Sequence, residues 1–309
     1  MRRVIKGLGL LSGLIIGWLF AVWPPPSWYR THWPRQTAFM ARAHATFAVK
    51  TQARGKLYRP VPLDSIAAEM QDAVIIGEDN NFRTHHGIDY LALAHALGYT
   101  PNTFEWKNVH QRHELFQVLP KAWSRRDRLR GASTITQQLA KNLYLSPSRN
   151  PLRKVKEAVT AWRLEWALGK PRIMEVYLNI VELGEDVWGV EAASQLYFHR
   201  SANLLSGDQA AALAGALPFP LRSNPDYRPG RMRWRQNLIL RRMRGEEVEV
   251  PREEEEEVAS VEPPPYDSLG ITPGDTVFPD TTSADSTAPP PMRLDSVPAP
   301  TLPPDSGPQ

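Results

Sequence analysis

The sequence predicts a mostly α-helical domain set between a basic, apolar N-terminus and an acidic, Pro-rich tail. Three observations carry that prediction: helical apolar periodicity over residues 60–245, a scarcity of alternating strand patterns, and an abrupt change of composition at residue 246. Within the first, Met70 and Val74 share a helix face, and Ile135, Leu139 and Leu143 recur every four residues. Leu152, Val155, Val159 and Trp162 form another stripe, and Ala210, Leu213, Ala214 and Leu217 a third. Apolar stripes at this spacing are the kind a helix turns towards a core. About 185 residues suffice for one such core. Pro218, Pro220, Pro225 and Pro229 mark an irregular exit before the basic segment Arg231 to Arg244.

The net charge of +4 over 309 residues conceals a split. Residues 246–309 hold 15 acidic residues against Arg252 and Arg293, a net of −13, which leaves +17 on residues 1–245. The same segment has 14 of the 29 prolines. With so few large apolar residues it cannot offset chain entropy, and it is expected to be disordered. A compact enzyme using the whole length is therefore excluded. The cysteine count of 0 excludes a disulfide scaffold, thiol chemistry and a Cys-ligated zinc.

At the N-terminus, Arg2, Arg3 and Lys6 precede a charge-free run of 17 residues, Gly7 to Trp23. That is the short end of what crosses a bilayer as a helix. Trp23, Trp28, Tyr29 and Trp33 follow as an aromatic belt would. No small-x-small site follows, and Pro24-Pro25-Pro26 sits where cleavage would fall, so an uncleaved signal anchor is expected rather than a cleaved signal peptide. The basic flank keeps residues 1–6 cytoplasmic and exports the rest. The expected organisation is an anchor over 7–23, a juxtamembrane segment over 24–58, the helical domain over 59–245 and the tail over 246–309.

Four stretches carry chemistry. In Glu78-Asp79-Asn80-Asn81-Phe82-Arg83-Thr84-His85-His86-Gly87, the apolar run Ala73 to Ile76 leads into paired carboxylates. Apolar surroundings disfavour the charged form of a carboxylate and suit it to act as a general base; the plain alternative is a solvated helix end. In Gly131-Ala132-Ser133-Thr134-Ile135-Thr136-Gln137-Gln138-Leu139-Ala140-Lys141-Asn142, Ser133 or Thr134 can cap a helix. Thr134, Gln138 and Lys141 share a polar face there, and a helix N-terminus with a nearby cation suits an anion; the alternative is an ordinary capped surface helix. Arg149 and then Arg153-Lys154-Val155-Lys156-Glu157 offer a cationic cradle for a diphosphate, or else an exposed helix with ion pairs four apart. Lys170-Pro171-Arg172-Ile173-Met174-Glu175-Val176-Tyr177-Leu178-Asn179, with Gly184 and Gly189 beyond it, reads mainly as helix packing.

Taken together, E-D-x-x-F-x-x-H-x-G, G-x-S-T-I-T-Q-Q-x-x-K-N, R-K-x-x-E and K-x-x-I-x-E-x-Y-L-N resemble, in that order, the glycosyltransferase domain of peptidoglycan polymerases. This is glycosyltransferase family 51, shared by class A penicillin-binding proteins and monofunctional biosynthetic transglycosylases. The resemblance spans roughly Arg59 to Pro225. It implies a lysozyme-like two-lobed fold behind a single transmembrane helix, in the bacterial inner membrane with the domain outside. It implies lipid II and the growing glycan strand as substrates. The acceptor hydroxyl attacks the anomeric carbon, the configuration inverts to a β-1,4 linkage, and undecaprenyl diphosphate leaves. Glu78 matches the family's first carboxylate, the general base. Lys141, Arg149, Arg153 and Lys154 match the residues that hold the diphosphate. Glu157 matches the second carboxylate, which either positions Arg153 or meets a divalent cation, Mg²⁺ or Mn²⁺, on the diphosphate. Thr134, Gln138, Asn142, Asp79, Phe82 and His85 contact substrate or shape the site, His85 as a structural hydrogen-bonder rather than a base.

Some features depart from the family pattern. The stretch from about residue 95 to 130 is longer than expected and reads as an insertion, with His110 and His113 a weak metal pair at best. Trp188 and His199 stand where the family more often has other residues. The charge of the body suits anionic lipid and the substrate diphosphate; nucleic acid is not expected for an exported chain. The tail is a surface for recruiting cell-wall proteins, or simply a solvated tail. Two rival readings of the whole chain are a lytic glycan-cleaving enzyme and a non-catalytic cell-wall scaffold. The first has no use for a cationic cradle, and the second has none for Glu78 and Glu157.

Overall fold

The computed structural model describes residues 2–47, 57–105, 107–118, 120, 133–145 and 151–248. All fall in the first of two structural units, Met1–Val261. The acidic tail from residue 249, Arg149, and the basic cluster of Arg125, Arg126, Arg128 and Arg130 lie outside the described residues.

The architecture is helical throughout. In chain order come α1 (Arg2–Phe20), α2 (Ala38–Phe47), β1 (Leu57–Tyr58), α3 (Ala68–Glu78), α4 (Tyr90–Ala96), α5 (Val109–Val118), α6 (Ile135–Tyr144) and α7 (Pro151–Ile180). Then follow β2 (Glu182–Gly184), β3 (Val187–Trp188), α8 (Val190–Phe198), α9 (Gly207–Ala216) and α10 (Gly230–Met243). The three short strands make one sheet in the order β1-β3-β2, with β1 parallel and β2 antiparallel to β3.

The helix at the N-terminus differs from the expected anchor. It runs from Arg2 to Phe20 rather than from Gly7 to Trp23. The cause lies in Pro24, Pro25 and Pro26, which lack backbone N–H groups and push the residue before each one out of the helical region. Among the described residues no helix is long and apolar enough to cross a membrane. The end of α1 is tied to α7. Arg163 Nη1 donates to the Phe20 carbonyl at 2.7 Å, and Lys156 Nζ lies 4.6 Å from the Trp18 ring centroid. A cation on the last carbonyls of a helix complements its dipole.

The main core gathers α3, α6, α7, α8 and α9. Met70 and Val74 of α3, Ile135 and Leu139 of α6, and Ala210 and Leu213 of α9 are all fully buried. On α7 the sequence stripe faces the other way. Leu152, Val155 and Trp162 of that stripe are exposed and Val159 is half-buried; Trp166, one turn further on, is 84% exposed. The buried face is instead Glu157, Thr160, Ala161 and Leu164, which packs on α6. Small residues there let two helices approach closely, whereas the bulky stripe has no place between them. A smaller satellite cluster of Ala94, Leu97, Tyr99 and Val118 holds α4 and α5 together.

α7 is broken at Gly169, whose φ of 72° and ψ of 165° interrupt the helix just before Pro171. The carbonyl of Ala167 next to the break accepts from Arg30 Nε at 2.6 Å. The second half of α7 uses polar side chains to hold the chain before α3. Asn179 is buried; it accepts from the Val61 amide and donates to the Val61 carbonyl, both at 2.8 Å. Glu175 accepts from the Leu63 amide at 2.9 Å. Gly189, at φ 84°, passes so close that a Cβ there would lie 2.4 Å from the Asn179 carbonyl oxygen. Gly189→Ala is therefore expected to cost about 2 kcal/mol or more, from left-handed backbone and overpacking together. Thermal denaturation should register a Tm loss of about 4–8 °C for a domain of this size.

Candidate active site

The end of α3 and the start of α6 meet at a buried carboxylate. Asp79 caps the C-terminus of α3. Its Oδ2 accepts from the Ile135 amide, the first of α6, at 2.9 Å, and from His85 Nε2 at 2.9 Å. His85 Nδ1 accepts from the Gly87 amide at 3.1 Å, so the ring proton sits on Nε2 and is donated to Asp79. Thr134 caps α6 in a reciprocal pair with Gln137, and its hydroxyl donates to the Gly87 carbonyl at 2.7 Å. The loop between Asp79 and Gly87 is thereby sewn to the N-terminus of α6.

Beside Asp79, Glu78 turns the other way, into a cavity of about 1010 Å³. Its Oε2 accepts from Gln138 Nε2 at 2.9 Å, and Gln138 Oε1 in turn accepts from the Tyr177 hydroxyl at 2.9 Å. Its Oε1 accepts from Arg235 Nη2 at 2.8 Å, and Arg235 also donates to the Gly77 carbonyl at 2.6 Å. Arg235 belongs to α10 and is 3% exposed. The approach needs Gly77, because a Cβ there would lie 3.1 Å from Ile239 Cδ1 on the same helix. Lys141, Asn142, Ser133, Trp188, Glu182 and Arg242 also line the cavity.

A second polar group lies on the first turns of α7. Glu157 is 1% exposed, and its two oxygens accept from Arg153 Nη1 at 2.8 Å and Lys154 Nζ at 2.5 Å. Lys154 also donates to Ser133 Oγ at 2.6 Å, which brings its ammonium to the cavity edge.

The sequence comparisons agree on what such a site belongs to. The family model for transglycosylases matches residues 45–244. The biosynthetic peptidoglycan transglycosylase of Bordetella pertussis is 37% identical over 251 residues, covering 81% of this chain and 95% of that protein. That of Thiobacillus denitrificans is 36% identical over 252 residues, 81% of this chain and 98% of that protein. This chain belongs to the peptidoglycan transglycosylase family. It is an enzyme, a peptidoglycan glycosyltransferase of cell-wall synthesis. Penicillin-binding protein 1A of Aquifex aeolicus is 34% identical over 267 residues, 84% of this chain but 33% of that longer protein.

In this transglycosylase several residues named from sequence sit differently from the first reading. Glu78 is not in an apolar pocket; both its oxygens meet donors, because α10 delivers Arg235 to the end of α3. The N-terminus of α6 does not offer its first amides to a ligand anion, since Asp79 and Thr134 already accept from them. Phe82 is 3% exposed in the core under Lys170, whose Nζ lies 4.4 Å from its ring centroid, and it forms no part of the cavity wall. His85 is also absent from that wall. Glu157 is engaged by two cations of its own helix, Arg153 and Lys154. No group of three or more metal-ligating side chains occurs among the described residues.

Three site residues escaped the sequence reading. Arg235 sits with Met232 and Ile239 on the buried face of α10, at spacings of three and four, and a charge on such a stripe was the available signal. Tyr177 was read as packing, yet its hydroxyl fixes Gln138. Glu182 interrupts the apolar run Ile180-Val181-Glu182-Leu183. The side chains of Arg235 and Glu78 are 4% and 10% exposed, so removing either partner strands a buried charge. Arg235→Ala is expected to destabilise the fold by about 3–5 kcal/mol. Urea denaturation of the variant beside the parent protein checks it, the midpoint falling in proportion.

Proposed function

We propose that this transglycosylase polymerises lipid II, the acceptor hydroxyl attacking the anomeric carbon of the growing strand with inversion. Glu78 takes the hydroxyl proton as the new C–O bond forms. The electron pair of the breaking bond leaves with undecaprenyl diphosphate. The observation that carries this reading is a carboxylate at the end of α3, facing a large cavity and oriented by Gln138 and Arg235. A carboxylate has about four acceptor positions. Two are used here, so room remains on Glu78 for a substrate hydroxyl. Inversion at one centre needs a base on one face and leaving-group stabilisation on the other, with no covalent intermediate.

The cations supply the second half. Lys141 in the cavity wall and Lys154 at its edge, with Arg153 beside Lys154 on Glu157, hold the diphosphate together with Arg149, and charge grows on that group in the transition state. Glu157 keeps Arg153 and Lys154 side by side despite their like charge, a positioning duty that its two ion pairs support. A divalent cation, Mg²⁺ or Mn²⁺, would supply charge neutralisation on the diphosphate beside Lys141 and Lys154, with Glu157 the carboxylate paired with Lys154. Asn142 and Gln138 meet the substrate from the wall, while Asp79, Thr134, His85 and Phe82 hold that wall in place.

The membrane is the setting for a lipid-borne substrate. Leu10, Leu11, Leu14, Ile15 and Ile16 of α1 are exposed, and so is the stripe of α7 ending in Trp162 and Trp166. Apolar surface of that extent supports attachment to a bilayer, with α1 as anchor and the domain on its outer side. The two separate apolar clusters support the two-lobed, lysozyme-like arrangement.

Purified protein given labelled lipid II with Mg²⁺ should lengthen glycan strands. A shortening of preformed strands would instead favour the lytic reading. Glu78→Gln keeps the size of the side chain and removes the base. It should slow polymerisation by about 10²–10⁴-fold, assayed below the lowered melting point expected when Arg235 loses its ion partner and with circular dichroism showing folded protein; full activity in that variant would remove Glu78 from its role. Chelation of divalent cations should slow the parent enzyme, and readdition of Mg²⁺ or Mn²⁺ should restore it.

A further inference from the structure

Glu182 lines the cavity and has no part in the chemistry described so far. It opens β2, immediately after the buried Val181. Its Oε1 is buried and has no hydrogen-bond partner among the described residues. A buried polar atom left unpaired is costly, and native folds rarely keep one without a use.

The neighbours explain why nothing among the described residues pairs with it. Its partner across the ladder is Trp188, an apolar wall 2% exposed. The other charged groups on its own hairpin are Glu185, which is exposed, and Asp186, which is buried, both of the same sign. From α8 the Tyr197 hydroxyl is donated to the Leu183 carbonyl at 2.8 Å, and from α7 the Tyr177 hydroxyl is donated to Gln138. Across the cavity Arg235 is committed to Glu78 and Gly77. Asp79, Asp89, Lys141, Arg242, Glu246 and Glu247 complete the charged lining; Asp79 accepts from His85 and Ile135, Asp89 from Asn81 and Ala92, and Glu246 is paired with Arg241 and Arg244.

We propose that Glu182 is a substrate-binding residue, its Oε1 hydrogen-bonding a ring hydroxyl of a sugar seated in the cavity. This rests on the reading of the cavity as the polymerisation site. Burial first, and the Asp186 charge second, push the Glu182 carboxyl up to about 7. Near neutral pH much of it therefore carries a proton and donates through O–H. A neutral donor suits a neutral sugar: it makes the bond without holding a desolvated charge beside Asp186. The role is distinct from that of Glu78, which accepts a proton from the reacting hydroxyl.

The test is polymerisation against lipid II concentration, from about pH 5.5 to about 8.5, on either side of the Glu182 value. Wild type, Glu182→Gln, Glu182→Ala and Glu78→Gln are compared. Wild-type KM should rise several-fold above about pH 7 as the carboxyl loses its proton. Glu182→Gln, a donor at every pH, should flatten that rise. Glu182→Ala should raise KM by about 5–10-fold at the acid end, the loss of one hydrogen bond, with the deficit in KM rather than kcat. An unchanged KM in Glu182→Ala overturns the proposal, as does a Glu182→Gln variant impaired as badly as the Ala one.

Melting curves separate a merely structural carboxyl. A value raised on folding gives stability that is present below the ordinary carboxylate range and lost as pH rises through about 7. Glu182→Gln should therefore melt above wild type at alkaline pH and not at acid pH. That gain without any change in KM would make Glu182 structural only and overturn the binding role. If Glu78→Gln still polymerises, the reading of the site itself falls, whatever Glu182 does. If Glu78→Gln is inert and Glu182→Ala keeps the wild-type KM, only the Glu182 proposal falls.

Discussion

The buried carboxylate of Asp79 is the constraint from which the site follows. It ends one helix and begins another: it caps α3 and accepts from the first amide of α6. His85 donates to it from the loop between them. A buried carboxylate must find donors for its oxygens or be very costly. Those it finds here come from two places in the chain, the loop at His85 and the start of α6, so satisfying one side chain fixes both against the end of α3. Glu78, the residue before it, is aimed into the cavity as a consequence. The two carboxylates adjacent in sequence thus divide the work, one holding the backbone and the other facing the cavity.

The same economy recurs around the cavity. Gln138 is fixed by Tyr177 and in turn fixes Glu78. Glu157 spends its charge on Arg153 and Lys154. Glu175 and Asn179 hold the chain before α3 rather than any ligand. Most polar residues in these motifs hold one another, and only a few face the cavity. Substrate-facing groups held by packed and bonded neighbours need little reorganisation when charge shifts in the reaction.

The sequence made the helices on α3, α6 and α9 legible, because their apolar residues repeat at the helical period and one face alone is apolar. α7 was misread for a specific reason. Periodicity says that a stripe exists, not which neighbour it meets; the face of Glu157, Thr160, Ala161 and Leu164, whose one charge is paired on its own helix, took the core and left the bulky stripe outside. The motif glutamates and cations were legible through their order along the chain. Arg235 was not, since its partner Glu78 lies 157 positions away and local sequence carries no trace of that contact. Glu182 was hidden similarly, its isolation being set by what surrounds it in space. The prolines after Trp23 were noticed as a barrier to cleavage, but they also end the helix early.

Arg235 also sets an order of events in the making of the protein. The helix that carries it is the last described one, while Glu78 stands near the beginning of the domain. Chains are synthesised from the N-terminus, and early segments begin to fold before late ones exist. A ribosome that has delivered every motif from Glu78 to Asn179 has therefore still not delivered the guanidinium that orients the first of them. The nascent chain holds Glu78 without its buried cationic partner until α10 arrives and packs.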